Sequence, residues 1–241
     1  MRGIKYVMIM LILGGLFVMP TLAEEMSAAK IEENVQEAIS MTYLGDRGIT
    51  AEVSPDKKVT LKGSVETLYA KEKAFEAASK VKGVKYISNQ IVVDHIVLPE
   101  KAIQQNIISM IELNSAIPED DKIEVVVDND VVFLRGKVSF YFEKMIAQDL
   151  AAAQEGVKGV VNEITVKPLE KAISDENLEN YLMRIVDEQF PTSNDVKVDV
   201  NDGNVTIDGD VNSMWVAYNI EQEFAEVIGV RDIDNMLLIE E

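Results

Sequence analysis

The sequence predicts an α+β protein made of three tandem αββαβ modules, each a small three-stranded mixed sheet with two helices packed on one face. Two observations carry that prediction. Three sets of landmarks recur at a constant interval of 73 residues: Gly63, Gly136 and Gly209; Gly83, Gly156 and Gly229; and Asn89, Asn162 and Asn235. No gap is needed between them, which marks the repetition of one supersecondary unit. Within each interval the apolar spacing changes from a period near 3.6 to a period of 2 and back, in the same order every time.

Ahead of the repeat, Arg2 and Lys5 precede an apolar run from Tyr6 to Val18, followed by Pro20, Thr21, Leu22 and Ala23. This order of positive, apolar and small residues reads as an export leader cut after Ala23. The competing reading is a retained amino-terminal anchor, but the run is shorter than the roughly 20 residues that a membrane-spanning helix needs. With no cysteine in the chain, neither a lipid-modified amino terminus nor a disulfide is available, so each module must rely on its own core.

Each module opens on an amphipathic helix, with apolar residues at i, i+4, i+7 and i+8: Ile31, Val35, Ala38 and Ile39; Ile103, Ile107, Met110 and Ile111; Leu178, Leu182, Ile185 and Val186. A first strand alternates through Ile49, Ala51, Val53, then Ile123, Val125, Val127, then Val196, Val198, Val200. Turn residues follow, as Ser54-Pro55-Asp56-Lys57-Lys58, Asp128-Asn129-Asp130-Val131 and Asn201-Asp202-Gly203-Asn204. The second strand places Gly63, Gly136 and Gly209 in phase with buried positions, which implies close approach of a helix or a bulge. A second helix is expected over 68–81, 141–154 and 214–227, capped by Gly83, Gly156 and Gly229, with Val84, Val157 and Val230 folding back over its end. The closing strand carries Asn89, Asn162 and Asn235 in its apolar phase, where the amide can satisfy backbone groups at the sheet's end. The expected boundaries are a leader at 1–23 and modules at 29–94, 98–167 and 174–240, joined by short Pro-bearing connectors that suggest a compact or slightly curved row.

The formal net charge of −19 becomes about −21 once Arg2 and Lys5 leave with the leader. Nucleic acid is therefore not an expected partner, since phosphate contacts need clustered Lys and Arg. Basic and acidic residues balance in the first module, whereas acidic residues far outnumber basic ones in the third. Around the first module's second helix, Lys71, Lys73, Lys80, Lys82 and Lys85 cluster beside Tyr69. They read either as a contact for an anionic surface or as a solvated helix face whose charges complement the helix dipole. Tyr69, Phe142 and Trp215 hold equivalent positions and read as core packing at a helix start or as interfacial anchors.

No catalytic residue and no cofactor is expected. His95, the one histidine, falls in a connector, and the chain lacks the several His or Cys ligands of a zinc site. Asp199, Asn201, Asp202, Asn204, Asp208 and Asp210 gather oxygen atoms suited to a hard cation, without the spacing of a known calcium loop. A polar hairpin flanked by outward aspartates explains them without a metal.

The segments Val59-Thr60-Leu61-Lys62-Gly63-Ser64-Val65 and Gly83-Val84-Lys85-Tyr86-Ile87-Ser88-Asn89, with their counterparts 73 residues on, resemble the BON domain. The resemblance covers residues 29 to 240. It implies a non-enzymatic periplasmic protein that binds phospholipid or the membrane surface, in osmotic or envelope stress. Its alternatives are a protein-interaction or chaperone-like role towards envelope proteins, and cation binding by the acidic third module. The aspartates around the third module's motifs argue against contact of that module with anionic lipid.

Overall fold

The computed structural model describes residues 26–42, 48–94, 96–118, 122–171, 173–193 and 195–240. The expected leader and His95 lie outside the described residues. The first module comprises α1 (Ala28–Ser40), β1 (Thr50–Val53), β2 (Lys58–Lys62), β3 (Ser64–Val65), α2 (Leu68–Ser79), β4 (Tyr86–Asn89) and β5 (Val92–Val93). The second holds α3 (Glu100–Glu112), β6 (Ile123–Asp128), β7 (Val131–Val138), α4 (Tyr141–Ala153) and β8 (Gly159–Val166). The third holds α5 (Asp175–Gln189), β9 (Lys197–Asn201), β10 (Asn204–Val211), α6 (Met214–Ala225) and β11 (Asp232–Ile239). No helix among the described residues is long and apolar enough to cross a membrane.

In every module the second strand lies at the centre of the sheet, antiparallel to the first and parallel to the last. The first helix lies over the first strand and the second helix over the last. Both cover one sheet face, because the strand residues that alternate inward are buried while their neighbours are exposed. The first helices bury residues i, i+4 and i+8 and leave the i+7 position half-covered. In the first module the sheet is interrupted, β3 and β5 forming a separate pair beyond Gly63. The hairpins of the second and third modules have positive φ at both central residues, Asn129 and Asp130 in one and Asp202 and Gly203 in the other. That geometry matches the twist of the flanking strands.

The glycines of the second strands, expected to admit a helix or to mark a bulge, admit backbone rather than a helix. A Cβ on Gly63 would fall 2.6 Å from the Gly48 carbonyl oxygen, and one on Gly136 or Gly209 would fall closer still to that of Lys122 or Asp195. These carbonyls belong to residues one or two positions before the first strand. Gly83, Gly156 and Gly229 also differ from expectation. The second helices end at Ser79, Ala153 and Ala225, and each glycine takes the third position of a separate turn beyond, with φ of +92°, +86° and +106°. The valine that follows donates its N–H across that turn to Val81, Gln154 or Val227 and is buried.

The modules do not form a row. Each touches both others, so they close into a triangle in which α2 meets α4 and α6. The buried side chains of the second and third modules make one continuous cluster, while those of the first form their own. No common buried cluster joins the first module to the rest; ion pairs and hydrogen bonds such as Lys73 with Asp149 and Lys85 with Glu240 cross its seams.

Candidate functional site

Two faces of α2 explain what its lysines do. Thr67 caps the helix by accepting the Ala70 N–H at 3.1 Å, and Ala70, Ala74, Ala77 and Ala78 are buried against the sheet. Tyr69, Lys73, Glu76 and Lys80 follow one another at i+3 or i+4 spacing, so they share a second face. That face meets the other modules. Lys73 and Lys80 clasp Glu76 at 2.7 and 2.6 Å, and Lys73 also reaches Asp149 of α4 at 3.5 Å while lying over the Tyr69 ring. Lys80 lies over the ring of Tyr218 on α6, whose hydroxyl bonds Glu76.

The electrostatics follow from this crowding. Burial would raise the Glu76 carboxyl, but the two ammonium groups outweigh it and hold it below its ordinary value. Burial likewise opposes the Lys73 charge, yet Glu76 and Asp149 outweigh it and raise its pKa. Asp149 and Glu72 end above their ordinary values, in both cases first because of burial; Lys73 offsets only part of that shift at Asp149. Burial and the nearby Glu76 push the Tyr218 phenol well up. At the seam between the second and third modules, burial and then Asp232 push Tyr141 up to about 12.

Of the residues singled out from sequence, Lys73, Lys80, Lys85 and Tyr69 thus take part in contacts rather than standing free. Lys85 donates to the Glu240 carbonyl of the third module at 3.3 Å. Arg231, its counterpart, donates to the Val166 carbonyl of the second at 3.2 Å, whereas Lys158, the counterpart in the second module, pairs with Asp130 of its own hairpin. Lys71 and Lys82 form no ion pair among the described residues, and Lys82 is exposed. Phe142 and Trp215 are neither core nor fully exposed; each lines a cleft shared with a neighbouring module. The seams themselves were missed by sequence reasoning, although aromatics at equivalent positions were a signal for them.

The asparagines do more than finish a sheet. Asn89, Asn162 and Asn235 donate to the carbonyls of Lys71, Lys144 and Ala217 at 3.1, 2.9 and 3.2 Å. Each also accepts the N–H two residues on, so one amide ties the last strand to the second helix. In the third module Asp202 pairs with Arg231, Asp208 accepts the Gly209 N–H, and no group of three or more potential metal ligands converges among the described residues.

The family model of the BON domain matches residues 27–95, 99–168 and 174–241. No curated protein matches the chain. Among solved structures, the C-terminal domain of CdsD, the structural protein of the type III secretion system of Chlamydia trachomatis, is 13% identical, covering 90% of this chain and 100% of that one at a TM-score of 0.25. A second structure of CdsD from Chlamydia trachomatis is 14% identical, covering 88% of this chain and 92% of that one, also at 0.25.

Proposed function

The chain belongs to the BON domain family, and on that premise we propose that it is a non-enzymatic, exported envelope protein that docks on phospholipid at the periplasmic membrane surface, in osmotic or envelope stress. BON domains are in general associated with phospholipid or membrane binding and with envelope stress proteins. The observation that supports this reading most is the presence of two uncommitted lysines, Lys71 and Lys82, on the one module whose charges balance, in a chain of net charge −19. A lipid surface must be met locally, because the rest of the chain is repelled by anionic bilayers.

The test is sedimentation of the protein with phosphatidylglycerol or phosphatidylcholine vesicles across a salt series. Wild type should pellet with the anionic vesicles at low salt and be released as salt rises. The double variant Lys71→Glu/Lys82→Glu should not pellet. Absence of pelleting by wild type at every salt concentration overturns the reading.

A second reading, docking of an envelope protein, is favoured by a cleft of about 640 Å³ between α5 and α6, where Ile173, Tyr181, Ile185 and Ile228 are accessible.

A further inference from the structure

The seam between the first and third modules holds a cleft of about 500 Å³ that neither module has alone. Lys80 and Lys82, just past the end of α2, form one wall; Thr192, Asn212, Ser213 and Trp215 form the other. Its charge sets it apart. Four other clefts among the described residues carry carboxylates: Glu223 and Glu226, Glu112, Glu163 and Asp232, or Asp149 with Glu226. This one carries two lysines and no carboxylate, in a chain where Asp and Glu number 42 against 23 Lys and Arg.

The polar wall is ordered as a set of donors. Ser213 donates to Asn212 at 3.1 Å and Asn212 donates to the Thr192 hydroxyl oxygen at 3.1 Å, which leaves the Thr192 proton for another acceptor. Ser213 is also the N-cap of α6, so the positive end of that helix borders the same space; Ser213 takes the Val216 N–H and the Val84 carbonyl that of Met214, so the helix end acts there through its dipole and the Trp215 backbone N–H. Lys80 is partly spent on Glu76, but Lys82 is exposed and forms no ion pair among the described residues. Beside these donors, Trp215 packs one side against Phe190 at 5.9 Å and remains 38% exposed. A cation pair, a hydroxyl donor and a helix amino terminus suit a phosphate, and a half-exposed indole suits the boundary between a headgroup and its acyl chains.

We propose that this cleft is a composite site for the phosphate of an anionic phospholipid headgroup. Lys82, Thr192 and the start of α6 meet the phosphate, and Trp215 meets the glycerol and acyl stem. The proposal rests on the phospholipid reading above and deepens it: the binding site is created by closure of the triangle, and the third module contributes to it despite its acidity.

Trp215 is the one tryptophan in the chain, so its fluorescence reports on this cleft directly. The whole chain is titrated with short-chain phosphatidylglycerol below its micelle concentration, with short-chain phosphatidylcholine and with inorganic phosphate. The expected result is a saturable change in Trp215 emission with phosphatidylglycerol, at least about tenfold weaker with either of the others. Lys82→Glu and Thr192→Val should each weaken it, and Lys101→Glu, an equal charge change on α3, should not. Unchanged melting temperatures of the variants exclude unfolding as the cause. A response that survives Lys82→Glu, or that inorganic phosphate elicits at equal concentration, overturns the proposal. So does the lack of any response in a protein that still pellets with anionic vesicles, which leaves the phospholipid reading standing. If the protein neither responds nor pellets, both fall.

Discussion

Gly136 shows how much of the module depends on a missing atom. Its φ of +144° and the Lys122 carbonyl oxygen beside it both exclude a side chain, and that oxygen is backbone and cannot move aside without shifting β6. Gly136→Ala should therefore lower stability by about 3 kcal/mol, from backbone strain and the clash together, measured by denaturant unfolding. A loss below about 1 kcal/mol would mean that the strand start relaxes freely. The glycine itself was legible from its recurrence, and so was its buried phase. What it faces was not, because sequence shows the period of one strand but not which segment crosses it. The asparagines had the same limit: their phase showed a buried amide, whereas its partner carbonyl lies 18 residues away, as in Asn89 with Lys71.

At the scale of elements, α2 is held to α4 and α6 by one crowded set of charges. Glu76 sits below its ordinary value of 4.5, so its contribution is fully present above about pH 4.5 and is lost as pH falls through the lowered folded value. Glu72 and Asp149 act in the opposite sense: their raised values mean that ionising them costs stability as pH rises through the interval above 4.5 and 3.8. Glu76→Gln should accordingly cost about 1 kcal/mol at neutral pH, since two charge-assisted bonds are weakened. Asp149→Asn should change stability by less than about 0.5 kcal/mol, because the charge it removes is poorly solvated. Thermal unfolding at pH 7 checks both, and equal losses in the two variants would contradict this division. From sequence, Lys73 and Lys80 are legible as a cationic helix face. Glu76 is a partner within the same helix, but Asp149 and Tyr218, which join the modules, come from α4 and α6, so no local pattern distinguishes a solvated lysine from one that bridges modules.

For the whole molecule, the repeat made three modules and their internal order legible, but not their arrangement. The short connectors are compatible with a row, and the contacts that close the triangle, such as Lys85 with Glu240 and Tyr86 with Ile239, join residues more than 150 positions apart. Closure matters for the proposed phospholipid site because it brings Lys82 of the first module to Trp215 of the third. The second and third modules share a core and the first has its own, so the cleft lies at a joint that no common buried cluster spans. Small-angle X-ray scattering of residues 24–241 tests closure most directly. A closed triangle of this length should give a radius of gyration of about 17–20 Å, and a value near 25 Å, that of three touching modules in a line, would contradict it.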